Sequence, residues 1–356
     1  MPIDCDHRRA HGHDVCFGAC HALERGVFAY ARADRPGDVP PAEPDAIDVF
    51  VLDMNHGWPN IGHDAIVMAV RTAACSLADT IAAAGKRVRV ISCDVRRGFA
   101  IPRLPDARGG LYVGTGGPGH VDPAMNDGGE GTQGIVESPA WESPLFSLFD
   151  AIHAHPDAAL IGVCHAFGVM SRWLGVADPV LRPPDKGGKS AGIVESVLTP
   201  ASAAHPWFGG LGEGGSRIRV LDSRLYDLLP RPSLAASVTP LSYEVDRGYA
   251  GDAITSWEAA RDRSGRMPRV FGVNHHPEIV DRARALTILW QKRSRGEVSH
   301  DWYRERAEAM NETLRDGAAD RGLDVTSRYT LYGPVRYHLE RQIELRSPSA
   351  RGRASS

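Results

Sequence analysis

Short apolar runs separated by amphipathic helical stretches constrain this chain more than any other feature. Ile47 to Met54, Arg87 to Val95, Leu111 to Val113 and Ala158 to Val163 are rich in β-branched and apolar residues. Runs of this kind, with little polar alternation, read as strands buried on both faces. Between the first two, Ile66, Ala69, Val70, Ala73, Leu77 and Ile81 recur at three- and four-residue steps. That spacing predicts a helix filling much of Gly62 to Gly85. Phe146 to His153 and His165 to Leu174 also read as helices, the second directly after a strand. Strands alternating with helices predict an α/β fold: a mainly parallel sheet with helices on both faces.

Beyond Pro184 strands dominate: Ile218 to Leu221, Leu234 to Val238, Ser242 to Val245, Ala253 to Trp257 and Val270 to Val273. A helix over Val280 to Lys292 follows them. Residues 1 to 45 read as an irregular N-terminal extension ending in the cluster Pro40-Pro41-Ala42-Glu43-Pro44. The folded domain is expected over 46 to 295. Residues 296 to 356 form a C-terminal extension with a charged helix over Asp301 to Arg315. There, Arg328 to Glu344 has alternating aromatic and basic character, and a Ser/Arg tail ends the chain. With 42% apolar and 24% charged residues the chain can build a sizeable core. A formal net charge of -3 gives no reason to expect nucleic acid or an anionic membrane as partner. No apolar run approaches membrane-spanning length, and the N-terminus lacks a signal-peptide core. A cytoplasmic location is expected, and the six cysteines are not expected to form a disulfide framework.

Two segments carry chemistry. Ile161-Gly162-Val163-Cys164-His165-Ala166-Phe167-Gly168 joins a strand to a helix. A sharp turn there lifts the middle side chain clear of the sheet. A helix N-terminus lowers a thiol's pKa and offers N–H groups to an oxyanion. The bland alternative is a buried structural cysteine. The second segment, Asn274-His275-His276-Pro277-Glu278, stands at the end of another strand. A thiol nucleophile needs a base, and the base needs an orienting acid. Histidine followed two residues later by glutamate can supply both, although chemistry alone does not choose between His275 and His276. The plainer alternative is a His-rich surface turn.

Gly114-Thr115-Gly116-Gly117-Pro118-Gly119 formally fits a dinucleotide fingerprint. Pro118 and the Gly/Asp-rich stretch after it provide no helix, so that assignment is rejected. Such a loop at the carboxyl end of a strand can instead aim a backbone N–H at a reacting carbonyl.

Taken together, the Gly116 to Gly119 loop, the Gly162 to Cys164 elbow and His276 to Glu278 resemble the class I (triad) glutamine amidotransferases. Lys186 to Gly192 and His205 to Leu211 look like lesser motifs of that family, and the resemblance covers about residues 46 to 293. It implies a flavodoxin-like fold. It implies Cys164 as nucleophile, His276 as base and then acid, and Glu278 as its orienting group. Gly117 and His165 would supply the oxyanion-hole N–H groups, and Gly116, Gly119, Asn274 and His275 would line the substrate. The implied substrate is a side-chain amide such as glutamine, cleaved through a thioester. No cofactor and no metal are implied, and the ammonia acceptor would be a separate synthetase. Gly168 stands where the family has a glutamine-binding Gln, and Asn274 stands where it has Gln. A γ-glutamyl or related amide hydrolase, or an acyltransferase using the same thioester, therefore remains an alternative.

Cys5, His7, His11, His13, Cys16, Cys20 and His21 crowd the N-terminus without zinc-knuckle spacing. A metal site there is not expected. Cys75 and Cys93 read as small core residues. Asp53, Asn55, His56, Pro59 and Asn60 follow the first strand and read as a polar turn, with substrate contact as the alternative.

Overall fold

The computed structural model describes residues 26–183, 188–212, 216–244, 253–280, 282–315 and 317–347. The first parallel strands are β1 (Phe28–Ala33), β2 (Ala46–Asp53), β3 (Arg87–Asp94), β4 (Gly110–Gly114) and β5 (Ala158–Val163). After β6 (Ala177–Leu181) come β7 (Ser190–Leu198), β8 (Arg217–Arg224), β9 (Tyr226–Pro230), β10 (Thr239–Glu244), β11 (Ala253–Arg261) and β12 (Pro268–Val273). One ten-stranded sheet runs β1-β3-β2-β4-β5-β12-β11-β10-β7-β8, and β6 pairs with β9 apart from it. From β1 to β12 along that sheet every pairing is parallel; from β12 to β8 every pairing is antiparallel.

Set aside β1, and the parallel block β3-β2-β4-β5-β12 has the 2-1-3-4-5 order of a flavodoxin-like sheet. The order reverses between β2 and β4. The glycine loop follows β4, the elbow follows β5 and the His-Pro-Glu loop follows β12, so all three lie at the carboxyl edge of the parallel block.

Alternation along each strand divides the core in two. Val49, Val51, Leu111, Val113, Ile161 and Phe271 face one side. Phe50, Leu52, Tyr112, Leu160 and Val270 face the other. Helices α1 (Gly62–Ser76) and α2 (Ala78–Ala83) cover the first side, and α3 (Glu142–Ala154) and α4 (His165–Trp173) cover the second. The long helix expected over Gly62 to Gly85 is thus two helices, broken at Leu77, whose φ/ψ of -111°/10° leaves the helical region. Further on lie α5 (Arg282–Ser294), α6 (His300–Thr313), α7 (Gly317–Ser327) and α8 (Gly333–Arg346), with a π-helical turn Arg328–Tyr332 between α7 and α8.

Three expectations change. The N-terminal stretch expected to be irregular contains β1, paired in parallel with β3 from Phe28↔Val88 to Ala33↔Cys93. Its Arg and Asp neighbours hide an edge strand whose middle residues are only half-buried. Leu234–Ser237 is a short helix, not a strand. Leu234 and Val238, four residues apart, both enter the core, which is helical spacing. Cys75 is only partly buried and is disulfide-bonded, whereas Cys93 is a buried free thiol. The N-terminal Cys/His cluster, Lys186, Gly187 and the Ser/Arg tail beyond Ser347 lie outside the described residues. Among the described residues no helix is long and apolar enough to cross a membrane, and no group of three or more His, Cys, Asp or Glu is placed to hold a metal ion.

The C-terminal segment is part of the domain's core. Leu331, Val335, Leu339 and Ile343, spaced by four, bury themselves among Val49, Leu111 and Ile161 and close the α1 side of the sheet. Leu339→Ala should cost about 2–5 kcal/mol of unfolding free energy, measured by urea denaturation. His338, on the same helix, is buried and donates from Nε2 to the Pro268 carbonyl at 2.9 Å. Burial pushes its pKa down to about 4, against the raising effect of that contact. The folded state therefore resists protonation that the unfolded chain accepts near 6.5. This contribution is full above that pH and falls away towards pH 4, by about 1.4 kcal/mol per unit. His338→Gln should flatten the acid limb of a stability–pH profile by about 3 kcal/mol over that window.

Candidate active site

Cys164 is the pivot between β5 and α4, with φ/ψ of 49°/-104°. A non-glycine residue there is strained by about 1–3 kcal/mol. The surroundings sustain it. Its N–H donates to the Val273 carbonyl on β12 at 2.8 Å, and its carbonyl accepts from Gly168 N–H at 3.0 Å. Helix α4 presses onto the sheet where glycines leave room. A Cβ on Gly272 would stand 2.6 Å from the Phe167 ring, and one on Gly162 would meet Met170.

His276 and Glu278 come from the loop after β12. His276 Nδ1 meets Glu278 Oε1 at 2.8 Å, and the ring lies beside the Cys164 side chain. With Nδ1 occupied by the carboxylate, Nε2 is the nitrogen left for the thiol. Burial alone would depress the pKa of this ring; the Cys164 and Glu278 charges outweigh it and hold the pKa well above 6.5. His276 N–H donates to Leu221 O on β8 at 2.8 Å, so the antiparallel half of the sheet fixes the loop. Glu278 is buried against the start of α1, where a Cβ on Gly62 would stand 2.7 Å from Oε1. A helix N-terminus favours a carboxylate placed there.

His275 turns elsewhere. Its Nε2 lies 3.4 Å from Thr330 Oγ1 on the π-helical turn. Burial first, then His276 and Arg224, push its pKa down to about 3, so it stays neutral at physiological pH. Of the two adjacent histidines, His276 is the one beside the thiol. Asn274 donates its N–H to Thr255 O at 2.8 Å, and its buried side-chain Nδ2 has no hydrogen-bond partner among the described residues.

Gly116 lies against both the His276 and Cys164 side chains; a Cβ there would stand 2.9 Å from His276 Cε1 and 3.5 Å from Cys164 Cβ. Thr115 Oγ1 accepts from Met54 N–H at 2.9 Å and donates to the Gly116 carbonyl at 2.8 Å. That fixes the Gly116–Gly117 peptide, and because the peptide is trans the Gly117 N–H points away from Thr115. His165, at the first turn of α4, also has its backbone N–H at a helix start, where no intrahelical acceptor exists. Its ring is buried near the Gly117 backbone. Burial, reinforced by Arg96 and His120, keeps its pKa well below 6.5. Gly119 is set apart from Cys164: at φ 82° it packs against Asn126 and Ile135.

The loop itself stands on a residue that sequence reasoning missed. Arg96 is fully buried and pairs with Glu137, Nη2–Oε1 at 2.6 Å and Nε–Oε2 at 2.9 Å. Its Nη1 donates to the carbonyls of Met54 and Pro118 at 2.8 and 2.7 Å. One guanidinium thus ties the loop after β2 to the loop after β4. No local motif signals this, since Glu137 lies 41 residues away. The polar residues after β2 form a turn: Asp53 pairs with Arg32 at 2.5 Å and accepts from the Asn55 side chain at 2.7 Å. His56, at φ 54°, lies 4.0 Å from Glu137.

Gly168 has a structural reason. A Cβ there would stand 2.5 Å from Val121 Cγ1, so Val121 occupies the space where a longer side chain would project. Gly168→Ala should destabilise the protein by about 1–3 kcal/mol through overpacking. The Gly168→Ala/Val121→Ala double variant should recover part of that loss, and a double-mutant cycle measured by denaturation would show coupling between the two sites.

The fold and site together describe a flavodoxin-like α/β protein with cysteine, histidine and glutamate brought to one strand-end crevice. No protein-family model matches the sequence, and no curated protein matches it. Among solved structures the chain is similar to a glutamine amidotransferase from Thermotoga maritima, at 16% identity and a TM-score of 0.48, over 83% of this chain and 98% of that one. It is also similar to a putative GMP synthase component from Thermoplasma acidophilum, at 12% identity and a TM-score of 0.38, over 86% and 98% of the two chains.

Proposed function

We propose that the protein cleaves a side-chain amide through a Cys164 thioester, as an amidotransferase or glutaminase-type hydrolase. The observation that carries this is the placement of Cys164, on a strained strand-to-helix elbow, beside the hydrogen-bonded pair His276–Glu278.

The geometry supports the following chemistry. Sγ of Cys164 attacks the amide carbon as the thiolate, its proton held on His276. Glu278, hydrogen-bonded at Nδ1, holds the ring with Nε2 towards the thiol and stabilises the imidazolium. Negative charge then develops on the substrate oxygen, and the N–H groups of Gly117 and His165 are the proposed donors to it. Proton donation from His276 to the leaving nitrogen releases ammonia and leaves the thioester, which water or another nucleophile resolves. When water is the acceptor the products are ammonia and a free carboxylate. Delivery of the ammonia to a separate synthetase is the amidotransferase form of the same reaction.

The Gly168–Val121 contact favours a second reading of the substrate. The position that holds a glutamine-binding Gln in the resembling family is closed here. A γ-glutamyl or related amide, rather than free glutamine, fits a site altered in this way, and acyl transfer from the thioester belongs to the same alternative.

Intact-protein mass spectrometry with the glutamine-like electrophile diazo-oxo-norleucine tests both readings. A single adduct, lost in Cys164→Ala and suppressed by glutamine, is the expected result for a glutaminase. An adduct that glutamine does not suppress points to the alternative amide. Absence of any adduct on the folded protein rejects Cys164 as the nucleophile. On a substrate identified in this way, Cys164→Ala or His276→Ala should lower kcat by about 10⁴-fold or more, and combining them should cost little extra.

A further inference from the structure

A cleft of about 650 Å³ opens beside Glu278, and neither Cys164 nor His276 lines it. Its walls come from α1, the start of α5, α7 and the π-helical turn, so the C-terminal segment builds half of it. Three arginines, Arg284, Arg321 and Arg328, converge on this space. Two carboxylates share it, and both have partners. Asp324 pairs with Arg328 at 3.6 Å, and Glu278 binds His276. Arg321 has no carboxylate partner among the described residues. Ser327 and Tyr332 add hydroxyl groups, while Val280 and Val325 supply apolar wall.

The volume falls within the roughly 300–1,000 Å³ of sites that hold organic ligands, larger than a bare ion needs. Arginine forks match the geometry of phosphate oxygens. We propose that this cleft binds a phosphate-bearing small molecule, with Arg321 as the principal contact and with Arg284 and Arg328, each of which also has another partner, beside it. Glu278 is shared by the cleft wall and by the Cys164–His276–Glu278 series. An anion in the cleft raises the negative potential at that carboxylate, which favours the protonated His276 and so changes the reactivity of the adjacent thiol. The cleft is therefore a candidate effector site. Its binding of phosphate does not depend on the proposed amide chemistry; the coupling rests on that reading of the three residues.

Titration calorimetry on the full chain, with inorganic pyrophosphate and AMP as probes and adenosine as the uncharged control, separates these statements. Pyrophosphate or AMP should bind in the micromolar to millimolar range and weaken as salt is raised, and adenosine should not bind. Arg321→Glu should weaken binding by about tenfold or more, equivalent to about 1.4 kcal/mol. Arg304→Glu, a charge reversal on α6 outside the cleft, should leave it unchanged. Arg284→Gln provides the same test if Arg321→Glu does not fold. No binding of either phosphate, or binding equally affected by Arg304→Glu, overturns the site. The rate of Cys164 alkylation by iodoacetamide, with and without saturating probe, reads the coupling. An unchanged rate at demonstrated saturation overturns the coupling, and the calorimetric result distinguishes that outcome from failure of the site.

Discussion

The bond from Cys164 N–H to the Val273 carbonyl is the contact on which the site depends. It joins the elbow to the neighbouring strand at the point where the backbone is most strained. A positive φ on cysteine persists only when the surrounding structure over-determines it, and here β12 on one side and α4 above supply that constraint. The same strand continues into Asn274, His275 and His276. The ladder that holds the Cys164 backbone therefore also sets the distance from thiol to imidazole.

A second constraint lies beneath the glycine loop. Arg96 and Glu137 are both withdrawn from solvent, an arrangement that costs several kcal/mol of desolvation per ion unless geometry and further hydrogen bonds compensate. The guanidinium meets that condition, with two bonds to Glu137 and two to backbone carbonyls. Such a pair adds little net stability, but removing one partner leaves a buried charge. Its effect is to fix where Pro118 and Met54 lie, and through Thr115 the peptide between Gly116 and Gly117 is fixed as well. The glycine loop beside Cys164 is thus held by buried side chains.

The histidine pair shows how environment assigns chemistry to identical side chains. His275 and His276 are adjacent and both buried, yet one is driven to about 3 and the other well above 6.5. Burial acts on both in the same direction. His276 differs because a carboxylate and a thiol lie on its two sides, whereas His275 has a neutral threonine and the positive charge of its neighbours. The C-terminal turn that supplies Thr330 thereby helps to distinguish the two.

Much of this was legible in the sequence. The strands Ile47 to Met54 and Ala158 to Val163, the elbow at Cys164 and the His-Pro-Glu loop follow from local spacing and turn chemistry, because a buried strand and a strand-to-helix turn leave marks within a few residues. Strand β1 and the core helix α8 were obscured, since charged residues interrupt their apolar positions and their partners are distant in sequence. What the chain determined by itself was the class of fold and the local turns that carry Cys164, His276 and Glu278. The tertiary structure decided which histidine stands beside the thiol, that Val121 closes the space at Gly168, and that Arg96 carries the glycine loop. Each of those depends on pairing across tens to hundreds of residues and on burial, and no local pattern encodes the low-dielectric setting that gives such groups their charge state.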